Sequence, residues 1–218
     1  LQSCADKIGA TLLIASRDFD IHARPDGSGV LISPERSIDF PRPGLAGAHQ
    51  IENAGLALMT LHTIRSYAAD GISNANWPGR VQHLDKGALA DAWPHRQIWL
   101  DGAHNAHGAH ALANTLRSIQ EGKWNIICGA LNTRDPAEIL LPLKTLAGHV
   151  ACLTIPDQDA SLSAAEMRDA AAAQGLKASA AATLAMAFDS LNPSLPVIIC
   201  GSLYLAGHVL VQNKTLPD

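Results

Sequence analysis

Apolar residues recur in two rhythms along this chain of 218 residues. From residue 97 onward, short continuous apolar runs alternate with longer stretches in which apolar positions return every three to four residues. Trp124–Cys128 and Pro196–Cys200 are such runs, each followed by glycine. A strand apolar along its whole length suits a sheet covered on both faces, and the longer stretches suit the covering helices. The pattern predicts strands over 97–101, 124–129, 149–155, 176–179 and 196–201. It predicts helices over 105–120, 135–146, 163–174, 181–191 and 203–212. That alternation implies an α/β fold built on a doubly wound, mostly parallel sheet.

The first third of the chain has another texture. Thr11–Ala15 and Gly29–Ile32 look like short strands on either side of the turn signal Arg24-Pro25-Asp26-Gly27-Ser28-Gly29, which predicts a hairpin or meander. A helix is predicted from about 47 to 69, with Ile51, Ala54, Leu58, Leu61 and Ile64 on one apolar face. Gly71-Ile72-Ser73-Asn74-Ala75-Asn76 then breaks the rhythm. A domain boundary is expected there, dividing the chain into 1–72 and 73–218.

Composition narrows the function classes. With 47% hydrophobic residues the chain can bury a real core. The net charge is −4 and no basic cluster exceeds a pair, which argues against nucleic acid and anionic membranes as partners. No apolar run reaches the ~18 residues of a membrane span. Cys4, Cys128, Cys152 and Cys200 are widely spaced, and three of them sit inside predicted strands, which suits small core residues in a reducing, cytoplasmic setting. The start, Leu1-Gln2-Ser3-Cys4, has neither an initiator methionine nor a signal layout and is expected to lie mid-protein.

The candidate chemistry gathers where strands end. Asp101 closes the strand 97–101 and His104-Asn105 open the next helix, whose free N–H groups suit phosphate or carboxylate. Aspartate can accept from both hydroxyls of a ribose, and imidazole can bond a base or phosphate. The residues alone leave open whether Asp101 and Asn105 bind a ligand or cap the helix. Arg80 follows the rigid Pro78-Gly79 turn, and its guanidinium fork suits a phosphate or an exposed ion pair equally well. His49 and Asn53 stand one helical turn apart, and an asparagine amide matches the donor and acceptor edge of adenine. His104, His107 and His110 partly share a helix face, but no Cys or Glu at ligand spacing completes a metal site. No G-x-x-x-x-G-K-[ST] loop occurs, so these residues lack the usual cradle for a triphosphate.

Taken in order, His49-Gln50-Ile51-Glu52-Asn53-Ala54, Trp77-Pro78-Gly79-Arg80, Leu100-Asp101-Gly102-Ala103-His104-Asn105, Gly129–Asp135 and Gly201-Ser202-Leu203-Tyr204 resemble the folylpolyglutamate synthase/dihydrofolate synthase branch of the Mur ligase superfamily. The resemblance implies the tail of a central ATPase domain over 1–72 and a Rossmann-like C-terminal ligase domain over 73–218. It implies an ATP-dependent ligase that joins L-glutamate to dihydropteroate or folate through an acyl phosphate, with Mg2+ bridging the phosphates. Carried over residue by residue, Asn53 would meet the adenine, Arg80 the phosphates, Asp101 the ribose or its neighbourhood, and His104 the nucleotide. Arg80 is the one catalytic residue so implied. The family's P-loop, magnesium ligands and modified lysine lie upstream of these motifs, so an N-terminal lobe is expected as partner, in a monomeric parent enzyme. Arg134 stands where the family usually has lysine. A self-contained, non-catalytic nucleotide-binding module and a muramyl-peptide ligase are the competing expectations.

Overall fold

The computed structural model describes residues 1–64 and 69–216. The chain divides into two compact units, Leu1–Asn76 and Trp77–Asp218.

In the first unit, helix α1 (Gln2–Ile8) precedes a three-stranded antiparallel meander, β1 (Asp20–Ala23), β2 (Gly29–Ile32) and β3 (Ser37–Phe40). The Arg24–Gly29 segment turns β1 into β2, with Asp26 accepting from the Ser28 amide at 2.9 Å. Thr11–Ala15, expected as a strand, forms none; it makes only a single bridge from Ala15 to Phe19, and Leu13 and Ile14 stay over a third exposed. The partners of β2 are instead β1 and β3. Helix α2 (His49–Thr63) covers the sheet with Ile51, Ala54, Leu58 and Met59, against Phe19, Leu31 and Phe40. Gly55 allows this approach, since a side chain there would strike Ile21 at 2.6 Å. The helix is shorter than expected: Ile64 already lies beyond its end, 67% exposed, and 65–68 fall outside the described residues. The short helix α3 (Asp70–Ser73) completes the unit.

The second unit holds a six-stranded sheet. Its strands are β4 (Gln82–His83), β5 (Ile98–Leu100), β6 (Trp124–Cys128), β7 (Ala147–Cys152), β8 (Ala178–Ala180) and β9 (Val197–Cys200), in the order β4-β5-β9-β6-β7-β8. All but the antiparallel edge strand β4 run parallel. The helices are α4 (Ala88–Ala92), α5 (Ala106–Ile119), α6 (Ala137–Leu143), α7 (Ala164–Ala173), α8 (Leu184–Asp189) and α9 (Leu203–Asn213). Ile98, Leu100, Ile127, Val197 and Ile199 pack with Phe188 of α8 and Leu205 and Val209 of α9 in one core layer. Strand side chains alternate between faces, so Ile126, Cys128, Ile198 and Cys200 serve the opposite layer. This is the mostly parallel α/β sheet expected from the apolar runs; β4, two residues long, and α4 were not anticipated.

β9 enters between β5 and β6 and brings Cys200 beside Cys128, which pairs in turn with Cys152. All three thiols are buried and free, while Cys4 is exposed. A hydrogen bond with Cys200 and then burial raise the Cys128 thiol well above its ordinary range, and burial pushes Cys152 up to about 12. Because the thiolate is the reacting species, an aromatic disulfide reagent at pH 8 should modify one cysteine per native chain and four after denaturation. Absorbance of the released thiolate checks this, and two or more in the native chain would contradict the buried row.

Candidate functional site

Insertion of β9 gathers three loops at the carboxyl edge of the sheet: 101–105 after β5, 129–136 after β6, and 201–202 after β9. Ligands collect at such an edge in open parallel sheets. The loops are fastened to one another through the backbone. Gly201 donates to the Ala103 carbonyl at 2.9 Å, and Asp101 to Ile199 at 2.9 Å. Leu162 donates to Ala130 and Asn132 to Ala160, which tie the loop after β6 to the segment that follows β7.

A cavity of about 140 Å³ lies among them, lined by His104, Leu131, Thr133, Arg134, Ser202 and Tyr204 together with neighbouring backbone. Two helix N-termini border it. Asn105 caps α5 by accepting from Gly108 at 2.8 Å, and buried Ser202 caps α9 by accepting from Tyr204 at 3.1 Å. The partial positive charge at both ends favours an anionic group. Arg134 is exposed and reaches Glu138 at 3.8 Å, a distance that leaves the guanidinium free to turn to a ligand carboxylate. His104 is exposed as well, and its Nδ1 lies 2.8 Å from the Gly102 carbonyl. A carbonyl only accepts, so Nδ1 is the donor in this contact and Nε2 stays available on the other side of the ring.

Beside this cavity stands the Trp77–Val81 turn. Gly102 donates to the Gly79 carbonyl at 2.7 Å, and the Gly79 amide donates to Gln82 Oε1 at 2.9 Å. Arg80 projects from the turn with its side chain exposed. No carboxylate pairs with it among the described residues. Asp101, by contrast, is 5% exposed, and its carboxylate accepts from Ala103 at 2.7 Å and Val81 at 2.8 Å.

The structure thus brings together Arg80, Asp101 and His104 in the second unit. Asn53 belongs to the first, exposed on α2, where its amide donates to Gln50 Oε1 at 3.0 Å. Gln50 is buried and its amide meets His49 at 2.9 Å. Among the described residues no three His, Cys, Asp or Glu side chains are placed together to hold a metal ion. None of the described helices is long and apolar enough to cross a membrane.

Sequence reasoning assigned no role to Thr133, Arg134, Ser202 or Tyr204, although their loops had been singled out as motifs. The signal available was positional: each loop starts with glycine directly after a continuous apolar strand.

Residues 79–203 match the model of the Mur ligase, glutamate ligase domain. The chain is 29% identical over 214 residues to the folylpolyglutamate synthase of Lacticaseibacillus casei, covering 92% of this chain and 48% of that protein. Among solved structures, a Mycobacterium tuberculosis folylpolyglutamate synthase complexed with ADP and AMPPCP superposes with a TM-score of 0.80 at 22% identity, over 100% of this chain and 53% of that one. A bifunctional folylpolyglutamate synthase/dihydrofolate synthase with Mn, AMPPNP and L-glutamate bound gives 0.79 at 23% identity, over 96% and 49%. The chain therefore spans about half the length of these relatives.

Proposed function

Because this chain belongs to the Mur ligase family, we propose that it supplies the glutamate-ligase half of an ATP-dependent enzyme that joins L-glutamate to dihydropteroate or a folate. The observation that carries this reading is the cavity at the carboxyl edge, where Arg134, Thr133, Ser202 and two helix N-termini face a space of amino-acid size. Such a set suits the carboxylates of an incoming amino acid, and a relative of the same fold holds L-glutamate. A P-loop lobe would hold the triphosphate, since these residues lack that loop.

In this reading the pterin-bearing carboxylate attacks the γ-phosphorus of ATP, ADP leaves, and the glutamate amine displaces phosphate from the acyl phosphate. Arg80 faces the phosphates and offsets charge that builds on the transferred group. His104 adjoins the nucleotide, Asp101 lies near the ribose, and Asn53 reads the adenine edge. A cytoplasmic setting agrees with the three free, buried thiols.

A ligase assembled from this chain and a P-loop lobe is expected to release ADP only when ATP, L-glutamate and a pteroyl or folyl acid are all present. The chain alone should show no turnover. ADP release that requires a muramyl peptide, or nucleotide binding without any ligation, would overturn the reading. Within the same enzyme, Arg134→Ala should raise KM for L-glutamate by about 10-fold or more, the worth of one charge-assisted hydrogen bond. An unchanged KM would place the amino acid elsewhere.

A further inference from the structure

Val81 is the one β-branched residue with positive φ among the described residues, at +44°. Such a backbone is an outlier for a β-branched side chain and persists only where the surroundings enforce it. Gly79, on the other side of Arg80, has φ +70°. Arg80 is therefore flanked by two left-handed residues, and the direction in which its side chain leaves the backbone depends on both.

What enforces the turn is visible in the hydrogen bonds. The Gly79 carbonyl accepts from Gly102, and the Val81 amide donates to Asp101 Oδ2 at 2.8 Å, across 20 residues of sequence. The other oxygen of Asp101 accepts from Ala103 at 2.7 Å, which locks the carboxylate to the start of its own loop. Val81 is itself buried, 6% exposed, so its side chain gives the turn little room to relax.

We infer that Asp101 is a positioning residue that holds the Gly79–Val81 turn in its strained form and thereby aims the Arg80 guanidinium. A charged carboxylate forms stronger bonds to N–H donors than a neutral amide does. Its replacement by asparagine sets an NH2 group against one of the two backbone N–H donors. The turn then loses one fastening and Val81 can return to an ordinary backbone conformation. The catalytic side of this inference rests on the proposed phosphate role of Arg80; the structural side does not.

Two measurements test it separately. In the chain itself, Asp101→Asn should speed amide hydrogen exchange at Val81 and Ala103 by at least ~10-fold, in excess of any change at the core strands; unchanged exchange at Val81 would overturn the inference. In the assembled ligase, Asp101→Asn should lower kcat by ~10-fold or more. Adding Val81→Gly to that variant should restore at least ~3-fold of the lost rate, because glycine adopts positive φ without help. A lost rate that Val81→Gly does not rescue would overturn the aiming of Arg80 through the turn. If Arg80→Ala leaves the rate unchanged while exchange at Val81 responds to Asp101→Asn, the phosphate role of Arg80 fails and the fastening of the turn stands.

Discussion

Arg80→Ala should lower the ligase rate by about 100- to 1,000-fold, the range found when one preorganised donor to a transition-state charge is removed. The side chain is exposed and no carboxylate among the described residues holds it, so its charge is available to a ligand. Its backbone, by contrast, is fixed by Gly79, Gln82 and Asp101. A guanidinium that is held at its root and free at its tip meets a developing phosphoryl charge with little reorganisation. The loss should appear in kcat more than in KM for ATP, and Arg80→Lys should recover only part of it, since an ammonium lacks the planar fork. Stability of the chain should change by less than about 0.5 kcal/mol, as for other exposed positions. Single-turnover kinetics of the assembled enzyme check the rate, and a variant as fast as the parent would remove Arg80 from the mechanism.

Gly201→Ala should destabilise the second unit by at least about 3 kcal/mol, adding backbone strain to overpacking. Gly201 follows β9 with φ +110°, and a Cβ there would lie 2.5 Å from the Gly129 carbonyl oxygen and 2.8 Å from Cys128 Sγ. Neither neighbour is the far end of a flexible side chain. β6 and β9 would have to part at their carboxyl ends, where the loops that line the cavity begin. Gly122→Ala supplies the control: φ is +101° there, but nothing lies within 4 Å of the added carbon. That variant should cost only about 1 kcal/mol, the conformational penalty alone. Urea unfolding of both variants measures the difference, and a Gly201→Ala protein as stable as the Gly122→Ala one would refute the close approach of β6 and β9.

Both predictions turn on residues that the sequence marks and the fold explains. The strands β6 and β9 were legible because they are buried on both faces, which leaves uninterrupted apolar runs ending in glycine. Thr11–Ala15 has a similar run and is no strand, because an apolar run records local character and says nothing about whether a partner edge exists. The strands that do pair with β2, Asp20–Ala23 and Ser37–Phe40, alternate polar and apolar residues, but over only four positions each, a run too short to stand out from loop sequence. β4 spans two residues, less than any period can reveal.

The candidate site divides in the same way. Arg80, Asp101 and His104 were visible as polar residues beside glycine at the ends of elements, yet their different situations were not. Arg80 and His104 reach solvent, whereas Asp101 turns inward onto Val81 and Ala103. Arg134 and Ser202 were passed over because no local pattern indicates that the loops after β6 and β9 face each other.

From its own residues the chain determined the order and approximate place of the helices and parallel strands of the second unit, since periodicity and capping act over a few neighbouring positions. Only the tertiary structure decided that β9 slips between β5 and β6, that three distant loops enclose one cavity, and that the Asp101 carboxylate accepts from the Val81 amide 20 residues away. Those outcomes depend on contacts between residues far apart in the chain, whose free energies no local pattern contains.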